Sequence, residues 1–274
     1  LYADLFATTL KDFVGEAKQW LEFDHPRLVR VFDVFEANGT AYCVLQYVVG
    51  RSLSEEIRRR ESEEDWLSAA ELYDLISGVL NGVEYLHEKG ALHLNLAPDN
   101  VVLSGPKKEP KIIEFGAAKA AYEKNDDGER LISPYLPIDR FMTDVVEGPS
   151  SDLYSLGALF YHVVSRQRPT PAPTRLTSPE KSPALAGNEE LVDRFGAEML
   201  GAIDRAFAVD AEDRPASVDE LRKLLGKRPA PPVVEAPAVE TEDTDELDGT
   251  SQPPHEVASQ DAGAPVPMPV APPA

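Results

Sequence analysis

The chain has 274 residues, 42% of them hydrophobic, and a formal net charge of −21. That composition can build a sizeable core, and the charge argues against nucleic acid or an anionic membrane as main partner because phosphate repels it. One cysteine, Cys43, excludes an internal disulfide and a cysteine-rich metal site and fits a reducing, cytoplasmic setting.

The first residue is Leu1 rather than Met, as expected of a fragment, and no secretory leader is visible. No apolar run approaches the ~18–20 residues needed for a membrane span. Residues 9–22 alternate with a helical period that sets Phe13, Ala17, Trp20 and Leu21 on one face. Leu28–Phe35 and Ala41–Tyr47 alternate as strands about Asn38-Gly39, a strong hairpin signal. Ser68 stands where it can cap a long helix carrying Leu72, Ile76, Val79, Val83 and Leu86, and Gly90 where that helix should stop. Short strands are expected around Val101–Leu103 and Lys111–Ile113, on either side of a Gly-Pro turn. Residues 151–165, 195–208 and 217–225 read as helices, and 170–190, rich in Pro and Ser, as a surface loop. His87 and His162 fall within helical stretches without ligand spacing, which makes them packing or surface residues.

From Pro229 onward there are eleven prolines, nine acids and no Lys or Arg, which leaves −12 for residues 1–228. Such a segment buries too little apolar surface to offset its ordering entropy and is expected to be disordered, as an acidic linker or docking tail.

The most informative stretch is His-Leu-Asn-Leu-Ala-Pro-Asp-Asn at 93–100. It resembles the protein-kinase catalytic loop, His-Arg-Asp-x-Lys-Pro-x-Asn, with the reacting parts replaced. Further matches stand in the family's order: Phe-Asp-His-Pro at 23–26, Glu-Phe-Gly at 114–116, Pro-Ile-Asp at 137–139, Gly-Pro-Ser-Ser-Asp-Leu-Tyr-Ser-Leu-Gly at 148–157 and Asp-Arg-Pro at 213–215. Together they resemble a bacterial serine/threonine protein kinase of the eukaryotic-like type over about residues 9–226, as a degenerate and N-terminally incomplete member.

The resemblance implies an α+β, protein-kinase-like fold. Residues 1–48 would be a truncated N-lobe of one helix and antiparallel strands, 49–227 a helical C-lobe and 228–274 the acidic tail. Asn95 stands at the catalytic aspartate position and Ala97 at the lysine that meets the transferring phosphate. An amide can orient a hydroxyl but takes up no proton at neutral pH, so the loss of a base costs ~10²–10⁴ in rate. Asn100 and Glu114 match the Mg²⁺ ligands, with Glu114 one methylene longer than the usual aspartate. Glu16 matches the helix glutamate that pairs with a strand lysine, yet residues 1–10 hold neither a lysine nor a glycine-rich loop, and Lys11 lies only five residues from Glu16. Leu45, Gln46 and Val48 resemble the adenine-binding hinge, with Val102 at the slot floor, so ATP and Mg²⁺ are expected to bind weakly. Leu94 replaces the arginine that grips an activation-segment phosphate, which leaves Tyr122, Ser133 and Tyr135 without a switching role. His93, Phe115, Asp139, Asp152 and Arg214 are architectural. Trp20 and Val31 would join His93 and Phe115 in an apolar stack, Asp152 would receive backbone N–H bonds, and Asp139 would pair with Arg214. The implied function is a pseudokinase that engages protein partners through the C-lobe or tail, with a weakly active kinase or a nucleotide-sensing switch as alternatives.

Overall fold

The structure, a computed structural model, describes residues 2–114, 122–124, 130–142 and 146–230. The expectations for Phe115, Gly116 and the 231–274 segment therefore lie outside the described residues. In chain order the elements are α1 (Tyr2–Trp20), β1 (Val31–Ala37), β2 (Thr40–Leu45), β3 (Gly50–Ser52), α2 (Leu53–Ser62), α3 (Ala69–Glu88), β4 (Val101–Ser104), β5 (Glu109–Ile112), β6 (Tyr122–Lys124) and β7 (Arg130–Ile132). They are followed by α4 (Pro149–Ser165), α5 (Ala172–Arg175), α6 (Glu189–Phe195), α7 (Ala197–Ala206) and α8 (Val218–Leu224).

The β1–β2 hairpin turns where the sequence places it, because Asn38 and Gly39 both take the positive φ that a tight two-residue turn requires. Its inner face packs on α1 through Val34 and Cys43, and α1 buries Val14, Ala17 and Trp20. The stripe thus runs through Val14 rather than the half-buried Phe13, and Leu21 falls beyond the helix end and is 40% exposed. Asymmetry of burial across one turn decides this, which periodicity alone does not resolve.

A second sheet, β3-β4-β5, carries the chain from the hairpin into the helical part. The two are joined at Leu28, which bridges Ile112, while Ile112 N–H donates to Arg27 O (2.7 Å) and Val29 N–H to Ile112 O (2.8 Å). β6 and β7 form a separate antiparallel pair. α3 begins in a reciprocal cap between Ser68 and Glu71 and buries Leu72, Ile76, Val79, Val83 and Leu86 almost completely.

Sequence reading missed β3 and α2, although Ser52-Leu53-Ser54-Glu55 carries the same capping box. The helix expected over 195–208 is α7, and the short α6 before it, which ends at Gly196 with φ 84°, was not read from the sequence. Residues 170–190 are not merely a surface loop. They hold α5 and two 3-10 turns that bury Ala172 and Leu185, pinned where Asp204 accepts the N–H groups of Leu185 (2.8 Å) and Ala186 (2.9 Å).

The core centres on α4, apolar and buried on nearly every side, as expected of a helix surrounded by other elements. Against α7 the approach is so close that a Cβ on Gly157 would stand 2.4 Å from Phe207 N and 2.7 Å from Ala206 C. These neighbours are backbone and cannot swing aside. Gly157→Ala is therefore expected to destabilise the domain by about 2 kcal/mol or more despite alanine's better helix propensity, read as a lowered urea midpoint.

Candidate functional site

The loop at 93–100 lies between α3 and β4, and its shape is fixed by two polar side chains. Asp152, on the first turn of α4 and fully buried, accepts His93 N–H (2.9 Å) and Leu94 N–H (2.7 Å). Its Oδ2 also accepts His87 Nε2–H (2.9 Å) from the end of α3. Asn100, buried in a 3-10 turn over Pro98–Asn100, donates its side-chain amide to Asn95 O (2.7 Å). Its own carbonyl receives Ile113 N–H (2.8 Å), which ties the loop to the strand leading to Glu114.

Two residues in this region carry a left-handed backbone, Leu94 at φ 56° and Glu114 at φ 49°. Neither is glycine, so each conformation costs about 1 kcal/mol or more and persists only because surrounding bonds enforce it.

His93 is fully buried with its ring edge-on to Trp20, centroids 5.8 Å apart. Val31 belongs to the same core cluster. His93 Nδ1 accepts Asn95 N–H (3.3 Å), which assigns the ring proton to Nε2. Burial pushes the His93 pKa down to about 4, against the opposing pull of Asp152 and the Ile113 backbone. The Asn95 side-chain Nδ2 is also buried and meets no acceptor among the described residues. Ala97 is half-buried, packed against the core.

The hinge-like stretch crosses from β2 towards β3. Gln46 N–H donates to Arg30 O (2.8 Å), its side-chain oxygen accepts Lys111 Nζ (3.3 Å), and Val49 O accepts Ser104 Oγ (2.9 Å). Lys111 pairs with Val102 across β4 and β5, so Gln46 and Val102 border one region, with Leu45 ending β2 and the half-buried Val48 two residues beyond Gln46. Burial and then Arg27 hold the Lys111 pKa below its ordinary value. Glu16 sits half-buried on α1, on the same helix as Lys11. No cluster of three or more His, Cys, Asp or Glu suited to a metal occurs among the described residues.

Asp139 and Arg214 are both buried and meet in a two-pronged pair at 2.8 and 3.1 Å. Ser151 Oγ donates to the same carboxylate (2.9 Å), and Arg214 also donates to Ala208 O (2.9 Å) and Val209 O (2.5 Å). Although burial opposes it, the Arg214 bonds hold the Asp139 pKa below its ordinary value. Beside it, Tyr135 OH lies 2.7 Å from His162 Nδ1, and burial with Arg168 pushes that histidine's pKa down to about 4. Sequence reasoning left both histidines as packing or surface residues, and the partners that give them polar work, Asp152 and Tyr135, are distant in sequence.

Arg214→Ala strands Asp139 in the core without its cation and is expected to cost about 3–5 kcal/mol by urea unfolding. The folded pKa of His93 lies below its unfolded value, so the unfolded state takes up the proton first as pH falls. Stability is therefore full above about pH 6.5 and is lost towards pH 4, by up to about 3 kcal/mol from this residue. The expected outcome for His93→Phe is a visibly flatter fall of melting temperature over that window.

A protein kinase domain family model matches residues 5–223. Among curated proteins, sperm motility kinase Z of Mus musculus is 26% identical over 210 residues, covering 76% of this chain and 41% of that protein. Serine/threonine-protein kinase pkn2 of Myxococcus xanthus is 29% identical over 240 residues, covering 82% and 28%. The chain thus spans well under half the length of these relatives. Among solved structures, the apo form of PpkA-294 superposes with a TM-score of 0.67 at 27% identity, over 82% of this chain and 77% of that one. The kinase domain of Mycobacterium tuberculosis PknI, at 21% identity, gives 0.60 over 81% and 78% and shows the fold alone. With a few antiparallel strands leading into a helical lobe and the family model matched over most of its length, this chain belongs to the protein kinase domain family.

Proposed function

We propose that the domain no longer transfers phosphate and serves as a signalling interaction or allosteric module. The observation that carries the reading is the contrast inside one loop. Asp152 and Asn100 hold residues 93–100 by buried hydrogen bonds, while the position that would take the substrate proton is the amide of Asn95. Removal of a general base raises the barrier by about 3–5 kcal/mol. Ala97 offers no cation to the developing phosphoryl charge, which removes further electrostatic stabilisation.

For nucleotide, the residues fit unequally. Leu45, Gln46, Val48 and Val102 would border the adenine, with backbone groups of the segment after β2 at its edge. At the phosphate end, Asn100 keeps its side-chain oxygen and Glu114 its carboxylate, and these two would hold Mg²⁺, whose charge neutralises phosphate oxygens in this family. Lys11 shares a helix with Glu16 instead of facing it from a strand. Weak ATP binding follows. No helix among the described residues is long and apolar enough to cross a membrane. Protein partners docking on the helical lobe or acidic tail, in a cytoplasmic setting, complete the reading.

A slow serine/threonine kinase is the second reading, favoured by the names of the bacterial relatives. Transfer from γ-labelled ATP with Mg²⁺ or Mn²⁺ separates the two. The expected result is no labelling by the native chain, and labelling by a triple variant carrying Asn95→Asp, Ala97→Lys and Glu114→Asp. Labelling by the native chain that disappears in Asn100→Ala would overturn the proposal.

A further inference from the structure

In the connection between α2 and α3, the half-buried indole of Trp66 meets two arginines that come from distant parts of the chain. Arg166, which closes α4, lays its guanidinium carbon 3.5 Å from the centre of the ring. Arg194, in the last turn of α6, lies 4.7 Å from the same centre. The two guanidinium groups are therefore no farther apart than those two distances together. Phe195 backs the ring at 6.4 Å. Arg166 is fixed further by a bond from Nη2 to Asp65 O, and its backbone is left-handed at φ 57°, a conformation that glycine would adopt without strain.

Attraction to the ring face holds each cation in place but neutralises neither. Among the described residues, neither guanidinium meets a carboxylate. The acids close at hand are engaged elsewhere or stand off. Asp65 gives its carboxylate to Arg59 and Arg60, and Glu61, exposed on α2, acts on Arg166 only from beyond contact. Burial first, and then the repulsion of Arg194 and Arg60, pull the Arg166 pKa below its ordinary value against those two acids. A chain of net charge −21 has acids in plenty, yet this pair of cations is left to be matched from outside.

We propose that Trp66, Arg166 and Arg194 form a binding site for a single phosphate dianion, carried on a side chain of a partner protein or met as the free ion. Two cations neutralise a dianion, whereas a carboxylate would leave one of them unmatched. Two planar guanidinium forks also present their donors to a tetrahedral set of oxygens. A run of phosphates does not fit, since a chain of this net charge repels a polyanion. Nor does a nucleobase, because the ring face on which it would stack carries a guanidinium. The site shares no residue with the 93–100 loop, so the proposal does not depend on whether the cleft transfers phosphate.

The test is the melting temperature of the full chain at fixed ionic strength. Inorganic phosphate replaces chloride in one arm, and in the other a phosphoserine peptide, Gly-Ala-pSer-Ala-Gly, is added beside its serine twin. A ligand present at about ten times its dissociation constant is expected to raise the melting temperature by roughly 3–6 °C, and the serine twin to leave it unchanged. Arg194→Gln, at an exposed site, is expected to remain folded and lose the rise, while Lys107→Gln, which removes another exposed cation, keeps it. No rise with either ligand, an equal rise with the serine twin, or an undiminished rise in Arg194→Gln overturns the proposal. Loss of the rise in Lys107→Gln overturns it too, in favour of a general effect of charge. A rise reached at lower concentration by the phosphopeptide than by inorganic phosphate assigns the group to a partner's side chain, and the reverse order assigns it to the free ion; either order upholds the site.

Discussion

The Asp152 carboxylate is the point on which this molecule turns. Fully buried, it satisfies its oxygens with two successive backbone N–H groups of the 93–100 loop and the His87 ring. A buried carboxylate is tolerable only when so many donors meet it, and each donor is thereby fixed in place. The left-handed turn at Leu94 and the seating of His93 against Trp20 follow from the same anchoring. Because Asp152 rides on α4, the best-buried helix, the loop inherits the rigidity of the core.

This anchoring acts on the backbone of residues 93 and 94, so it is indifferent to what the side chains at 95 and 97 are. The backbone frame of residues 93–100 is therefore held independently of the side chains of Asn95 and Ala97. The Asp139–Arg214 pair behaves likewise. It secures the 3-10 turn at Ile138–Phe141 to the segment after α7 through side chains that touch no reacting group. In both places the scaffold is held by atoms other than the side chains at 95 and 97. Retention of costly backbone at Leu94 and Glu114 is consistent with a frame still needed for its shape.

The hairpin presents a different balance. β1 and β2 form a two-stranded sheet, and Phe35 and Tyr42 stack across it at 5.3 Å on the outward face, with Phe32 and Val44 also exposed. A two-stranded hairpin is marginal alone, so its stability rests on α1 behind it and on the Leu28–Ile112 bridge below it. Perturbation of α1 is therefore felt in the hinge-like segment that continues from β2.

Local signals were enough wherever the determining atoms are close in sequence. The Asn38-Gly39 turn, the Ser68 cap and the α3 stripe from Leu72 to Leu86 were all legible, because turn stereochemistry, capping and helical period are properties of neighbours. Ser52 and Glu55 carried an equally local signal that went unread. Asn95, Ala97 and Glu114 were visible in the chain as residue types at motif spacing. What tertiary structure alone decided is where polar groups find partners. That His87 joins Asp152 and that Tyr135 meets His162 depend on contacts across tens of residues. Periodicity records which face of an element is apolar; it holds no distance between elements, and hydrogen bonds and charge pairs are matters of distance.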